Sequence, residues 1–165
     1  MKRIFIISIA ILFLGIGIVY AYATSQKRYV PVIVERTTLE NSIATISSQK
    51  VQNPGKIFVK DSLLFVIEQY YGVHIFDNSD PAHPKKMEFI RVLGCTDVAV
   101  KGQLMYASSG VDLVTINITD ISNATEIARE KNVLSEIRSP YGIIDDKYSK
   151  QNRPENTVII AWKTE

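Results

Sequence analysis

The sequence predicts an all-β chain, with two propeller-like four-stranded antiparallel repeats (a partial β-propeller) preceded by an N-terminal apolar export or anchor helix. Three observations carry this reading. First, Lys60, Leu63 and Phe65 recur as Lys101, Leu104 and Tyr106 at an offset of 41, and Val73-His74-Ile75-Phe76-Asp77 recurs as Leu113-Val114-Thr115-Ile116-Asn117 at an offset of 40. Self-similarity at that period marks units that bury their apolar surface only against a neighbour. Second, each copy alternates short apolar runs with tight polar turns. Third, an apolar stretch interrupted only by Ser8 follows Lys2 and Arg3 at the N-terminus.

The N-terminal stretch comes first in the chain. Ile4 to Ala23 is 20 residues of almost wholly apolar character ending in Ala21-Tyr22-Ala23, a small-x-small site. Basic start, apolar run and small-residue site together predict export, with residues 1–23 acting either as a cleaved signal peptide or as a retained signal anchor. The N-terminal segment would thus meet the membrane. The C-terminal part would lie outside the cytoplasm, in the periplasm or anchored at the cell envelope. Residues 24–55 form an N-terminal extension. Within it, Tyr29 to Val34 reads as an edge strand holding Pro31. Thr37-Thr38-Leu39-Glu40 offers a capping box for a short helix reaching about Ala44, and Ser47 to Gly55 is a polar linker.

The repeats occupy 56–95 and 96–135. Each opens with a strand (Lys56 to Lys60; Asp97 to Lys101), turns at Asp61-Ser62 or Gly102-Gln103, and returns as Leu63 to Glu68 or Leu104 to Ser109. A second turn, Tyr70 to Gly72 or Gly110 to Asp112, leads to the strand begun by Val73 or Leu113. A fourth strand is expected near Lys86 to Val92 and near Thr125 to Arg129. The near-continuous apolar character of these strands suits sheets covered on both faces. In 136–165, a polar loop through Glu155 precedes a strand at Thr157 to Trp162.

Val73 to Pro84 carries Asp77, Ser79, Pro81 and Pro84 in a spacing that resembles the LVIVD repeat. Leu113 to Ala124 is similar but degenerate, with Asn117 and Thr119 in place of the aspartate and serine, and with Ile121 and Ala124 where prolines belong. The resemblance covers about Val30 to Ser139. It implies kinship with bacterial envelope β-propeller proteins that carry LVIVD repeats, and a non-enzymatic role. Two such units cannot close a ring that takes about four to eight. The chain is therefore a short relative, a truncated copy or one part of an oligomer, and in isolation two blades packed face to face would form a sandwich-like domain. Exposed blade edges predict self-association.

Chemistry is sparse. Lys2 and Arg3 account for the whole formal charge of +2, so the remainder is neutral and lacks the basic footprint that nucleic acid requires. Cys95 is the only cysteine, which rules out an intramolecular disulfide and leaves a small buried hydrophobe as its expected role. His74, Asp77, Asp80 and His83 are spaced by threes, but strand geometry sends His74 and Asp77 to opposite faces, so no metal is expected there. Asp77 and Ser79 are expected to cap their own turn. His74 is read as a half-buried neutral imidazole. No cofactor motif occurs. The expected interaction surface is the pair of turns Tyr70, Tyr71, Gly72 and Gly110, Val111, Asp112, where loop tyrosines on a rigid scaffold offer an aromatic face to a protein or a glycan. The expected function is an exported cell-envelope binding or scaffolding module. The alternatives are an envelope hydrolase using loop carboxylates such as Asp145 and Asp146, or a degenerate copy without independent activity.

Overall fold

The structure, a computed structural model, describes residues 28–165. The expected export segment lies outside them. Among the described residues no helix is long and apolar enough to cross a membrane. The chain divides into two compact units, one of which comprises residues 31–163. Of the other, residues 28–30 and 164–165 are described; Arg28 and Glu165 are joined by an ion pair of 3.0 Å and by the Glu165 amide donating to the Arg28 carbonyl at 2.9 Å.

Three antiparallel sheets account for the strands. Strands β1 (Tyr29–Glu35) and β11 (Thr157–Thr164) form a two-stranded ribbon. A five-stranded sheet runs in the order β2 (Ala44–Ser47), β6 (Lys85–Arg91), β5 (Gly72–Asp77), β4 (Leu63–Glu68), β3 (Pro54–Lys60). A four-stranded sheet runs β10 (Thr125–Glu130), β9 (Asp112–Asn117), β8 (Leu104–Ser109), β7 (Val98–Lys101). The fold is thus mainly β with antiparallel sheets, and no closed propeller ring is present among the described residues.

The register repeats with the sequence. Lys60 faces Leu63 and Leu63 faces Asp77, just as Lys101 faces Leu104 and Leu104 faces Asn117. Each fourth strand bulges at the equivalent place, between the partners of His74 and Phe76 on β6 and around Ile127 on β10. A strand lets successive side chains alternate, so each sheet has two faces. Face A carries Leu64, Val66, Glu68, His74 and Phe76 in the first sheet, and Met105, Ala107, Val114 and Ile116 in the second. Face B carries Phe65, Ile67, Val73 and Ile75 in the first, and Tyr106, Ser108, Leu113 and Thr115 in the second.

The main core joins unlike faces. Phe65, Ile67, Val73, Ile75 and Ile90 from face B of the first sheet pack with Val98, Met105, Ala107, Val114 and Ile116 from face A of the second. The two sheets therefore stack head to tail, the order that a continued array would use. A smaller core gathers Leu39, Val111, Val158 and Ile160 with Val32, Val34 and Leu93.

At the joint between the sheets the backbones touch. The Tyr70 amide donates to the Cys95 carbonyl at 2.7 Å, the Gly94 amide returns to Tyr70 at 2.8 Å, and the Gly110 amide donates to Gly94 at 3.3 Å. Gly94 holds a φ of +73°, and a Cβ there would lie 2.4 Å from the Gly110 nitrogen.

Two expectations in the N-terminal extension are corrected. The helix α1 spans Arg36–Glu40, is preceded by Glu35, and has no side-chain cap. Thr37 therefore lies inside it rather than capping it. Glu40 turns away from the capping box because Arg36, at 2.8 Å, and Lys131, at 2.7 Å, offer full charges to its carboxylate. The expected helical reach to Ala44 is instead the start of β2, which pairs with β6 from Ala44↔Arg91 to Ser47↔Glu88. In the C-terminal loop a 3-10 turn forms at Asp146–Tyr148, and the Trp162 indole donates to the Ile137 carbonyl at 2.8 Å, stitching the loop to β11.

The glycine joint yields a comparison. Gly94→Ala should cost about 3 kcal/mol or more, because backbone atoms must move. Gly102→Ala, at a φ of +60° with nothing within 4 Å of the added carbon, should cost only the left-handed penalty of about 1–2 kcal/mol. Urea unfolding of the two variants measures the difference.

Candidate functional site

Residues 48–53 leave β2 at one edge of the five-stranded sheet and enter β3 at the other. That is a crossing of four strand spacings, about 19 Å, so the segment must run nearly extended. It crosses face A as a strap. Lys86 donates from this face to the Gln49 carbonyl at 3.2 Å. The Glu68 carboxylate accepts the Gln52 amide at 2.9 Å through one oxygen and the Asn53 amide at 2.5 Å through the other.

Glu68 is pinned from the sheet side as well. His74 Nε2 lies 3.0 Å from the Glu68 oxygen that also receives Gln52. The imidazole is buried, with its ring 4.6 Å from that of Phe89 and 6.4 Å from that of Phe76. Burial works against a charged Glu68, but the Gln52 amide, the His74 ring and the Asn53 amide outweigh it and hold the carboxyl below its ordinary value.

Strap and sheet enclose a cleft of about 430 Å³. Its lining combines Gln49, Gln52 and Asn53 of the strap with Glu68, Phe89 and Ile46, and Tyr71 and Arg91 complete it. Tyr71 is half exposed. Its backbone is held on both sides, its amide donating to Glu68 and its carbonyl accepting from Val92, each at 2.9 Å. The Arg91 Nε donates to the Ser42 carbonyl at 2.8 Å, which aims the guanidinium. An aromatic face, planar amides and a guanidinium on a fixed frame suit recognition of a polar ligand with one flat apolar side.

The turns expected to form an interaction surface divide. Tyr71 lines the cleft, and Tyr70, at a φ of 71°, is the hinge of the joint between the sheets. Gly72, Gly110, Val111 and Asp112 are buried, which removes them from an exposed surface. Val111 belongs to the smaller core. Asp112 accepts from Arg36 at 2.8 Å, from Arg129 at 2.9 Å and from the Asn132 amide at 2.9 Å. Burial opposes its charge, yet these donors hold the Asp112 carboxyl below its ordinary value. Arg129 in turn makes a bidentate pair with Glu126 at 2.8 and 2.7 Å. The sequence signal for this network was one departure from the repeat: Asp112 stands where the first copy has Gly72.

The motif residues cap turns. Asp77 accepts the Ser79 amide at 2.9 Å and its hydroxyl at 2.6 Å, and Asn117 accepts the Thr119 amide at 2.9 Å and its hydroxyl at 2.7 Å. Pro81 and Pro84 lie in the exposed connection that follows. His83 pairs with Asp80 at 2.9 Å on the surface. His74 is more buried than the expected half-buried ring and has Glu68 as partner. Among the described residues no group of three or more His, Cys, Asp or Glu side chains is placed to hold a metal ion. Cys95 is buried, which pushes its thiol pKa up to about 12. Asp145 caps the 3-10 turn by accepting the Lys147 amide at 3.2 Å.

Comparison of the chain with family models, curated proteins and solved structures finds no match.

Two outcomes follow from the buried carboxylates. Glu68 has a lowered folded pKa, so its contribution is complete above the ordinary carboxylate range and is lost as pH falls through the lowered value. Amide-exchange protection of Gln52 and Asn53 should be constant from pH 7 to about pH 5 and collapse below about pH 4; protection already lost above about pH 5 would show that the Glu68 carboxylate is not what holds the strap. Asp112→Asn leaves Arg36 and Arg129 under-compensated, and should cost roughly 3–5 kcal/mol in urea unfolding.

Proposed function

We infer that the chain is a non-enzymatic binding module of the cell envelope, a short relative of the LVIVD-repeat propeller proteins that takes a saccharide or a saccharide-bearing partner in the cleft under the strap. The observation that carries this reading is the cleft itself, lined by the half-exposed Tyr71, by Arg91 and by Gln49, Gln52 and Asn53 of the strap on a frame fixed by Glu68. A sugar ring presents an apolar face to an aromatic ring and hydroxyls to amides and guanidinium. Because strap and sheet are already pinned, little ordering would oppose binding. The kinship with propeller repeats is supported by the repeated register and by the paired Asp77–Ser79 and Asn117–Thr119 turns. Export and envelope placement rest on the N-terminal sequence.

The test uses the full chain in detergent micelles with soluble oligomers of N-acetylglucosamine as the probe. Hydrogen-exchange mass spectrometry should show added protection of residues 49–53, and the oligomers should be recovered uncleaved. Tyr71→Ala should weaken binding by up to about tenfold, the worth of roughly 1.4 kcal/mol of aromatic contact. Unchanged exchange over 49–53 at saturating oligomer would overturn the saccharide reading.

A further inference from the structure

We propose that copies of this chain associate head to tail, face A of the first sheet in one copy resting on face B of the second sheet in the next. The molecule already contains one contact of this kind, since face A of its second sheet is buried on face B of its first. Equivalent positions differ sharply in exposure. On the second sheet Val98 is 8% exposed and Val100 packs against the core, whereas their counterparts Ile57 and Val59 on the first sheet are 64% and 56% exposed. The strap covers the Glu68 end of that face and leaves the Lys60–Leu63 end open, where Val59 pairs with Leu64 and Leu64 with Phe76.

The other end of the molecule supplies the complement. In the internal contact the corresponding end of face B is built from Leu63 and Phe65. On the second sheet the same positions are Leu104 and Tyr106, both half-buried, with Leu113 exposed nearby. The substitution of Ala99 for Phe58 and Thr115 for Ile75 makes this surface less apolar than its internal model, as suits a contact between folded chains that must also stand in water.

Charge selects the orientation. Lys56 and Asp97 occupy the same place in the two repeats, 41 residues apart, and pair across the internal contact at 2.5 Å with side chains 67% and 58% exposed. In a head-to-tail array this position alternates Lys, Asp, Lys, Asp, so Asp97 of one copy meets Lys56 of the next and every junction joins opposite charges. Pairing two first-sheet faces through a twofold axis would confer no such alternation. A heterologous contact of this type closes into a ring or runs on as a filament according to the rotation per copy.

Single-cysteine substitutions at exposed or half-exposed positions distinguish the arrangements without threatening the core, and native Cys95 is buried out of competition. Full-length Val59→Cys and Tyr106→Cys chains are oxidised in micelles separately and as a mixture, with Ile127→Cys, on the exposed β10 bulge, as the control. The mixture should give the 59–106 disulfide at a yield on the order of tenfold or more above the 59–59 or 106–106 disulfide and above the 59–127 disulfide of the control mixture, because docking raises the effective concentration of the pair. A dominant 59–59 disulfide would establish the twofold arrangement instead, and a 59–106 yield no greater than 59–127 would show no specific contact; either result overturns the proposal.

Discussion

Neither meander of this protein can bury its own apolar faces, and everything else in the structure follows from how that is solved. Face B of the first sheet and face A of the second share one layer of side chains, among them Phe65, Ile67, Ile75, Met105, Val114 and Ile116. Burying an aliphatic or aromatic side chain of this size contributes about 1.5–3 kcal/mol, so the shared layer outweighs any single polar contact. The layer also dictates the joint. For the sheets to stack closely the chain must turn sharply between β6 and β7, and the glycine contact of Gly94 with Gly110 is where that turn is made.

Two unlike faces remain at the ends, and each is treated differently. On the first sheet a polar strap crosses face A, held by one carboxylate that satisfies two backbone amides and a ring nitrogen at once. On the second sheet the large apolar residues of face B give way to the half-buried Tyr106 and Thr115, which tolerate water, and to Ser108, which is buried and accepts the Thr96 and Asp97 amides. Terminal units of stacked arrays need a more polar outer face, and the chain shows two ways to provide one. The cleft is a by-product of the first way: a strap laid over a pleated sheet leaves space beside it, and Tyr71 and Arg91 stand at its edge.

Much of the fold was legible because hairpins are local. The turns at Asp61-Ser62 and Gly102-Gln103 sit between apolar runs, and the strands end within a residue or so of where those runs end. What escaped was long-range. Strand β2 is four residues of ordinary polarity, and nothing local says that Thr45 will lie opposite Ile90. The capping box at Thr37 failed because Glu40 has better partners in Arg36 and Lys131, the second of them far along the chain. Asp112 looked like a turn residue on the surface; its burial depends on Arg36, 76 residues away. For the candidate site, Tyr71 was visible as an aromatic in a turn. Glu68 and His74 could have been found as polar residues inside apolar strands, but the strap they hold could not, since its position is set by the distance between two sheet edges.

The placement of β2 also sets an order of events. Strands β3 to β6 meet through successive hairpins, whereas β2 must wait for β6, so that Ala44 closes on Arg91 only after the whole meander between them has formed. Loop closure on that scale is entropically expensive and adds to the mean separation of contacts, the quantity that slows folding. The first element to detach under stress is correspondingly the last to arrive. With β2 and the strap released together, face A of the first sheet would be bared in one cooperative step, while the shared layer between the two meanders stayed intact.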